Sequence, residues 1–147
     1  KETKSFALIS VDPDVPAKFD DANKEGKTIA EDFPRQNFHH WVLVDIPENI
    51  TEIPEGKGKD FGKGISMVND FASFIKDKPA KTFSGYDGPC PPFNDARLHH
   101  YHFVIYALDI DKLEIKENAK TTDIVKDIEK HSIAKGELVG TYSNFVK

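Results

Sequence analysis

Apolar residues come in short bursts along this chain, and Pro and Gly cut the bursts apart. The first, Ser5-Phe6-Ala7-Leu8-Ile9-Ser10-Val11, has the length of one buried strand, and Asp12-Pro13-Asp14-Val15-Pro16 is expected to stop it. Residues 17–37 are polar, carry Gly26 and Pro34, and read as a long loop of the kind that often serves function. His39-His40-Trp41-Val42-Leu43-Val44-Asp45-Ile46 is the second strand, ended by Pro47. Side chains alternate faces along a strand. His40, Val42, Val44 and Ile46 therefore share one face, and His39, Trp41, Leu43 and Asp45 the other. Residues 48–64 are Gly-, Pro- and Lys-rich loop, and residues 64–75 show no clean period. Residues 85–95 hold Gly85, Gly88, Pro89, Pro91 and Pro92, too many backbone specialists for a regular element. His100 to Leu108 is the longest strand, and its two largely apolar faces place it centrally in a sheet. From Thr121 the period lengthens: Ile124, Ile128 and His131 fall on one stripe of a helix, with Thr122 or Asp123 as its N-cap. Gly136 separates it from a last short strand, Leu138–Tyr142.

Strands that do not alternate with helices argue against a parallel α/β sheet. The fold class predicted is mainly β (β-rich α+β), with one late helix and a single domain over residues 1–147. Hydrophobic residues make up 38% of the 147, enough for a core and too many for a disordered chain. No apolar run approaches the ~20 residues of a membrane-spanning helix, so stable membrane insertion is not expected. The net charge of −5 disfavours nucleic acid as a partner. One Cys excludes an internal disulfide and suits a cytoplasmic protein, with the periplasm left open.

Histidine changes the picture. Five of the six fall in two clusters, His39-His40 and His99-His100 with His102. Alternation lets only one of each adjacent pair face a given side, so a pocket would draw about one His from each cluster. Asp12 and Asp14 sit beside Pro-fixed backbone, where a carboxylate either makes a turn or orients an imidazole. Two His and an Asp could ligate zinc, but no His-Glu-x-x-His spacing is present. Cys90 could act as a nucleophile, although its flanking prolines leave few N–H groups for an oxyanion hole. A hydrolase or a metal-binding protein is the alternative reading of this His/Asp/Cys set. No P-loop, dinucleotide fingerprint or other cofactor motif occurs.

In order and spacing, Asp12-Pro13-Asp14-Val15-Pro16, His40-Trp41-Val42, Gly85-Tyr86-Asp87-Gly88-Pro89-Cys90-Pro91-Pro92 and His99-His100-Tyr101 resemble the phosphatidylethanolamine-binding proteins. The branch is the bacterial and archaeal one, also called Raf kinase inhibitor-like. The resemblance implies a Greek-key antiparallel β-sandwich with a C-terminal helix. It also implies a pocket for a small anion, such as phosphate or a phosphoryl head group. Carried over to this chain, the ligand-binding set is Asp12, Asp14, His40, Gly88, Pro91, Pro92, His99 and Tyr101, with Asp14 helping to hold its loop. His40 and His99 would donate to the anion while Asp12 keeps an imidazole charged. Inhibition of a protein kinase or protease by contact is a further implication. His100 stands where the family has Arg, and Arg35 in the long loop is a further residue that could reach an anion. The family's N-terminal strand precedes Lys4; either the sequence is cut there or another chain supplies that strand, which makes a homodimer one expectation.

Overall fold

The computed structural model describes residues 2–146. Five strands form one antiparallel sheet: β1 (Ser5–Pro16), β2 (Arg35–Pro47), β3 (Ile65–Ser66), β4 (His99–Leu108) and β5 (Ser132–Tyr142), in the order β3-β2-β1-β4-β5. Two helices accompany them, α1 (Phe71–Phe74) and α2 (Thr121–His131), with a 3₁₀ turn at Ala80–Phe83. The fold is mainly β and antiparallel, as the sequence predicts. Where the resemblance implies a second sheet, the described residues instead cover the sheet with α2 on one face and long loops on the other. Ala7, Ile9, Val42, Val44, Val104, Tyr106 and Leu108 form one core with Ile124 and Ile128 of α2. Leu8, Trp41, Leu43 and Ile46 form the other, under Ile50, Ile53, Phe61 and Tyr86.

β1 does not stop at Asp12. Up to Val11 it is paired on both sides, with β2 and β4. Beyond Val11 only the β2 pairing continues, through Asp12↔Phe38, Val15↔Gln36 and Pro16↔Arg35. β1 therefore advances three residues where β2 advances two, which is a bulge. Bulges and half-open ladders are where a strand tolerates proline, so Pro13 and Pro16 extend the strand. The same pairing starts β2 at Arg35, earlier than the loop pattern of residues 17–37 suggested.

A second irregularity re-aims Ile46. Leu8 lies opposite Leu43, but Phe6 lies opposite Ile46. Asp45 takes up the extra residue with φ +54°, and its Oδ1 accepts the Leu113 N–H at 2.9 Å. Asp tolerates this left-handed conformation better than most residues. Ile46 thus joins Trp41 and Leu43, not Val42 and Val44 as simple alternation predicts.

α2 buries Ile124 and Ile128 as expected, but its N-cap is Lys120, with no side-chain cap bond. Asp123 instead lies in the first turn, where a carboxylate suits the helix dipole. Gly136 is not a break: β5 begins directly at Ser132 and runs through Gly136, which sits opposite Ile105. β4 is central, between β1 and β5.

Candidate ligand-binding site

The bulge at Asp12 and the first residue of β4 bring two motif residues together. His99 Nδ1 lies 2.6 Å from Asp12 Oδ2, and its Nε2 lies 2.9 Å from Asp95 Oδ2. All three side chains are at most 1% exposed. A carboxylate only accepts, so both ring nitrogens must donate and the ring is an imidazolium. Burial works against that charge, but the bonds and fields of Asp12 and Asp95 outweigh it and raise the His99 pKa. Asp95 in turn is paired with Arg35 and accepts the Arg97 N–H. Burial alone would raise the Asp95 pKa, but Arg35 and His99 bring it below the ordinary value.

Asp14 faces away from this pair. Its own N–H donates to Asp12 Oδ1 at 2.8 Å, which closes the turn. Its carboxylate accepts Arg97 Nε at 2.6 Å and both the N–H and Nδ1 of His100. Burial opposes this, but His100 and Arg97 together lower its pKa. Arg97 and His100 thus share the Asp14 carboxylate.

His40 differs from every other histidine of the chain. His39, His99, His100, His102 and His131 each bond a carboxylate. His40 Nδ1 instead donates to the Asp87 carbonyl at 2.8 Å. Burial is the largest influence and lowers its pKa, despite the opposing pull of that carbonyl and of Asp12 and Asp70. At neutral pH His40 is therefore uncharged, and its Nε2 carries a lone pair. Tyr101 stacks edge-on against it at 5.3 Å between ring centres. Burial and the Asp12 carboxylate raise the Tyr101 phenol, which stays protonated.

These groups lie at one end of a cavity of about 370 Å³. Six of the eight motif residues line it: Asp12, His40, Pro91, Pro92, His99 and Tyr101. Asp14 and Gly88 stand outside its wall. Cys90 lines it too and is exposed. The long loop covers one side with Phe19, Ala22 and Asn23. Arg35 does not reach the cavity; its guanidinium is spent on Asp95 and on the carbonyls of Asp14 and Ala30. Sequence reasoning missed Asp95, which follows the Pro-rich segment without periodic signal. It also missed Phe38 and Phe74, whose spacing carries no motif. Among the described residues, no group of three or more His, Cys, Asp or Glu is placed to hold a metal ion. No helix among the described residues is long and apolar enough to cross a membrane.

A family model described as phosphatidylethanolamine-binding protein matches residues 1–143. The chain belongs to the phosphatidylethanolamine-binding protein family. Its relatives include UPF0098 protein PH1269 of Pyrococcus horikoshii, 37% identical over 93% of this chain and 68% of that protein. UPF0098 protein YbhB of Escherichia coli is 28% identical, over 96% of this chain and 73% of that protein. The crystal structure of E. coli YbcL, described as a member of the mammalian family, superposes with TM-score 0.71. It shares 27% identity, covering 97% of this chain and 73% of that one. These relatives place the chain in the bacterial and archaeal branch of the family.

Proposed function

We propose that this pocket binds a small acid, a phosphoryl or carboxyl group, and that the protein is a binding module for it. The observation that supports this is the meeting of Asp12, His40, His99 and Tyr101 at one end of a single cavity. The roles differ from the simple expectation that both histidines donate. His99 spends both nitrogens on Asp12 and Asp95, so it acts by orienting the Asp12 carboxylate. Asp12 then accepts, and His40 Nε2 accepts when neutral and donates when charged. A dianion would meet an acceptor-rich floor. A monoprotonated phosphoryl group brings its own donor for Asp12 or His40, and its other oxygens accept from Tyr101.

The second pKa of a phosphomonoester is about 6, so the acid form grows as pH falls, and His40 gains its proton in the same direction. Binding of phosphate is therefore expected to strengthen from pH 8 to pH 5.5. The test is a phosphate titration followed through the histidine ring signals by NMR. The His40 signals should move with phosphate, and more at the lower pH. If they stay fixed at both pH values while the fold is intact, the proposal fails.

A further inference from the structure

The cavity is larger than an acid group needs. About 370 Å³ is the room of roughly a dozen waters at ~30 Å³ each, and it lies within the range of small-molecule pockets. What fills the remaining wall is aromatic. From the floor outward the rings touch in sequence: Tyr101 to His40 at 5.3 Å, His40 to Phe38 at 5.0 Å, Phe38 to Phe74 at 5.5 Å and Phe74 to Phe19 at 4.7 Å. Phe71 closes the side, 4.8 Å from Phe38 and 5.4 Å from His40. The path runs from the buried carboxylate of Asp12 to Phe19 and Phe74, both partly open to solvent. Near-perpendicular ring pairs, 69° for Phe19–Phe74 and 71° for Phe38–Phe71, present edges as well as faces, which is how further rings pack.

The outer part of this wall is pinned in place. Asn94 is buried, and its amide donates to the carbonyls of Asp21, Lys24 and Lys27 while its Oδ1 accepts the Asn23 N–H. Asn23 Oδ1 accepts the Phe93 N–H in return. Ile29 bridges to Asp95, and Arg97 bonds the Glu31 carbonyl. Phe19 therefore sits on a loop tied to the same segment that supplies Asp95. A wall held in this way loses little freedom when a ligand arrives.

We propose that the pocket selects an acid carried on an apolar arm about one ring in size, and that Phe19 and Phe74 are the residues that select the arm. This rests on the acid-binding reading of the floor. The arm lies along Phe38, Phe74 and Phe19, while the acid group stays at Asp12 and His40.

The experiment compares inorganic phosphate with phenyl phosphate at pH 6 by calorimetry, on the unmodified chain and on the double variant Phe19→Ala/Phe74→Ala. Burial of one ring predicts phenyl phosphate binding about tenfold or more tighter than phosphate. The double variant should lose most of that margin and keep its phosphate affinity, with circular dichroism confirming that it folds. Equal affinities for the two probes would overturn the arm and leave the acid site standing. A margin unchanged in the double variant would overturn the assignment to Phe19 and Phe74. No binding of either probe would overturn the acid-binding reading, and this inference with it.

Discussion

His99 is the residue on which the site turns, because its ring is held between two buried carboxylates. Removing one partner of a buried charge pair leaves the other uncompensated, typically at 3–5 kcal/mol. His99→Ala should therefore lower the unfolding free energy by about that much, read from a denaturant midpoint. Asp95→Asn is the finer probe. It keeps the volume and removes one of the two charges that raise the ring's pKa, so the His99 titration should move down toward the ordinary histidine value in NMR. A titration that stays where it was would show that Asp95 does not hold the proton. Asp12, His40, His99 and Tyr101 were all legible in the sequence, since each lies in a motif that carries the family resemblance. Asp95 was not. It stands four residues before His99, in an irregular segment after the Pro-rich stretch, and no periodicity links such a residue to the strand that follows. Phe19, Phe38 and Phe74 were illegible for a related reason: they come from a loop, a strand and a one-turn helix, and only the closed fold brings them together.

At the scale of elements, three register shifts between β1 and β2 decide where side chains point. Strand existence could be read from apolar runs and Pro boundaries, and β4 and α2 came close to their observed spans. Register could not, because a single extra residue reverses every face beyond it. Asp45 is the clearest case. Its positive φ and its bond to the Leu113 N–H are both needed where the chain shifts Ile46 to the other core. Asp45→Asn keeps an acceptor oxygen and tolerates the conformation, so it should be close to neutral. Asp45→Val removes the acceptor and places a β-branched residue at φ +54°, which should lower stability by about 1–3 kcal/mol. Equal midpoints for the two variants would remove this account of the bulge. The long loop offers a parallel test. Asn94→Asp is nearly isosteric but turns three donated bonds into contacts between a carboxylate and carbonyls. Amide exchange over residues 19–29 should then quicken while the β1–β4 pairing keeps its protection.

For the whole molecule the histidines set a pH optimum that no single residue explains. His99 has a raised pKa when folded, so its stabilisation is complete below the unfolded value near 6.5 and is lost as pH rises through the folded value. His40 has a lowered pKa when folded, so its contribution is present above about 6.5 and is lost as pH falls toward the folded value. Asp14, Asp70 and Asp95 are also lowered, and their stabilisation disappears only as pH falls below the ordinary carboxylate value of 3.8. Each histidine therefore removes stability on a different side of the same pH. Stability should peak close to pH 6.5, fall gently on both sides, and fall steeply below pH 4. Replacement of His40 by Asn should flatten the acid shoulder between about pH 6.5 and 4, and leave the alkaline shoulder unchanged. The ligand acts on the same balance. An acid bound beside His40 favours its protonated form, so a bound phosphate offsets the acid-side loss by mass action. Phosphate should raise Tm more at pH 5.5 than at pH 7.5, and the difference should shrink in His40→Asn to the part that comes from the phosphate's own proton. An equal rise at both pH values would separate phosphate binding from the His40 proton.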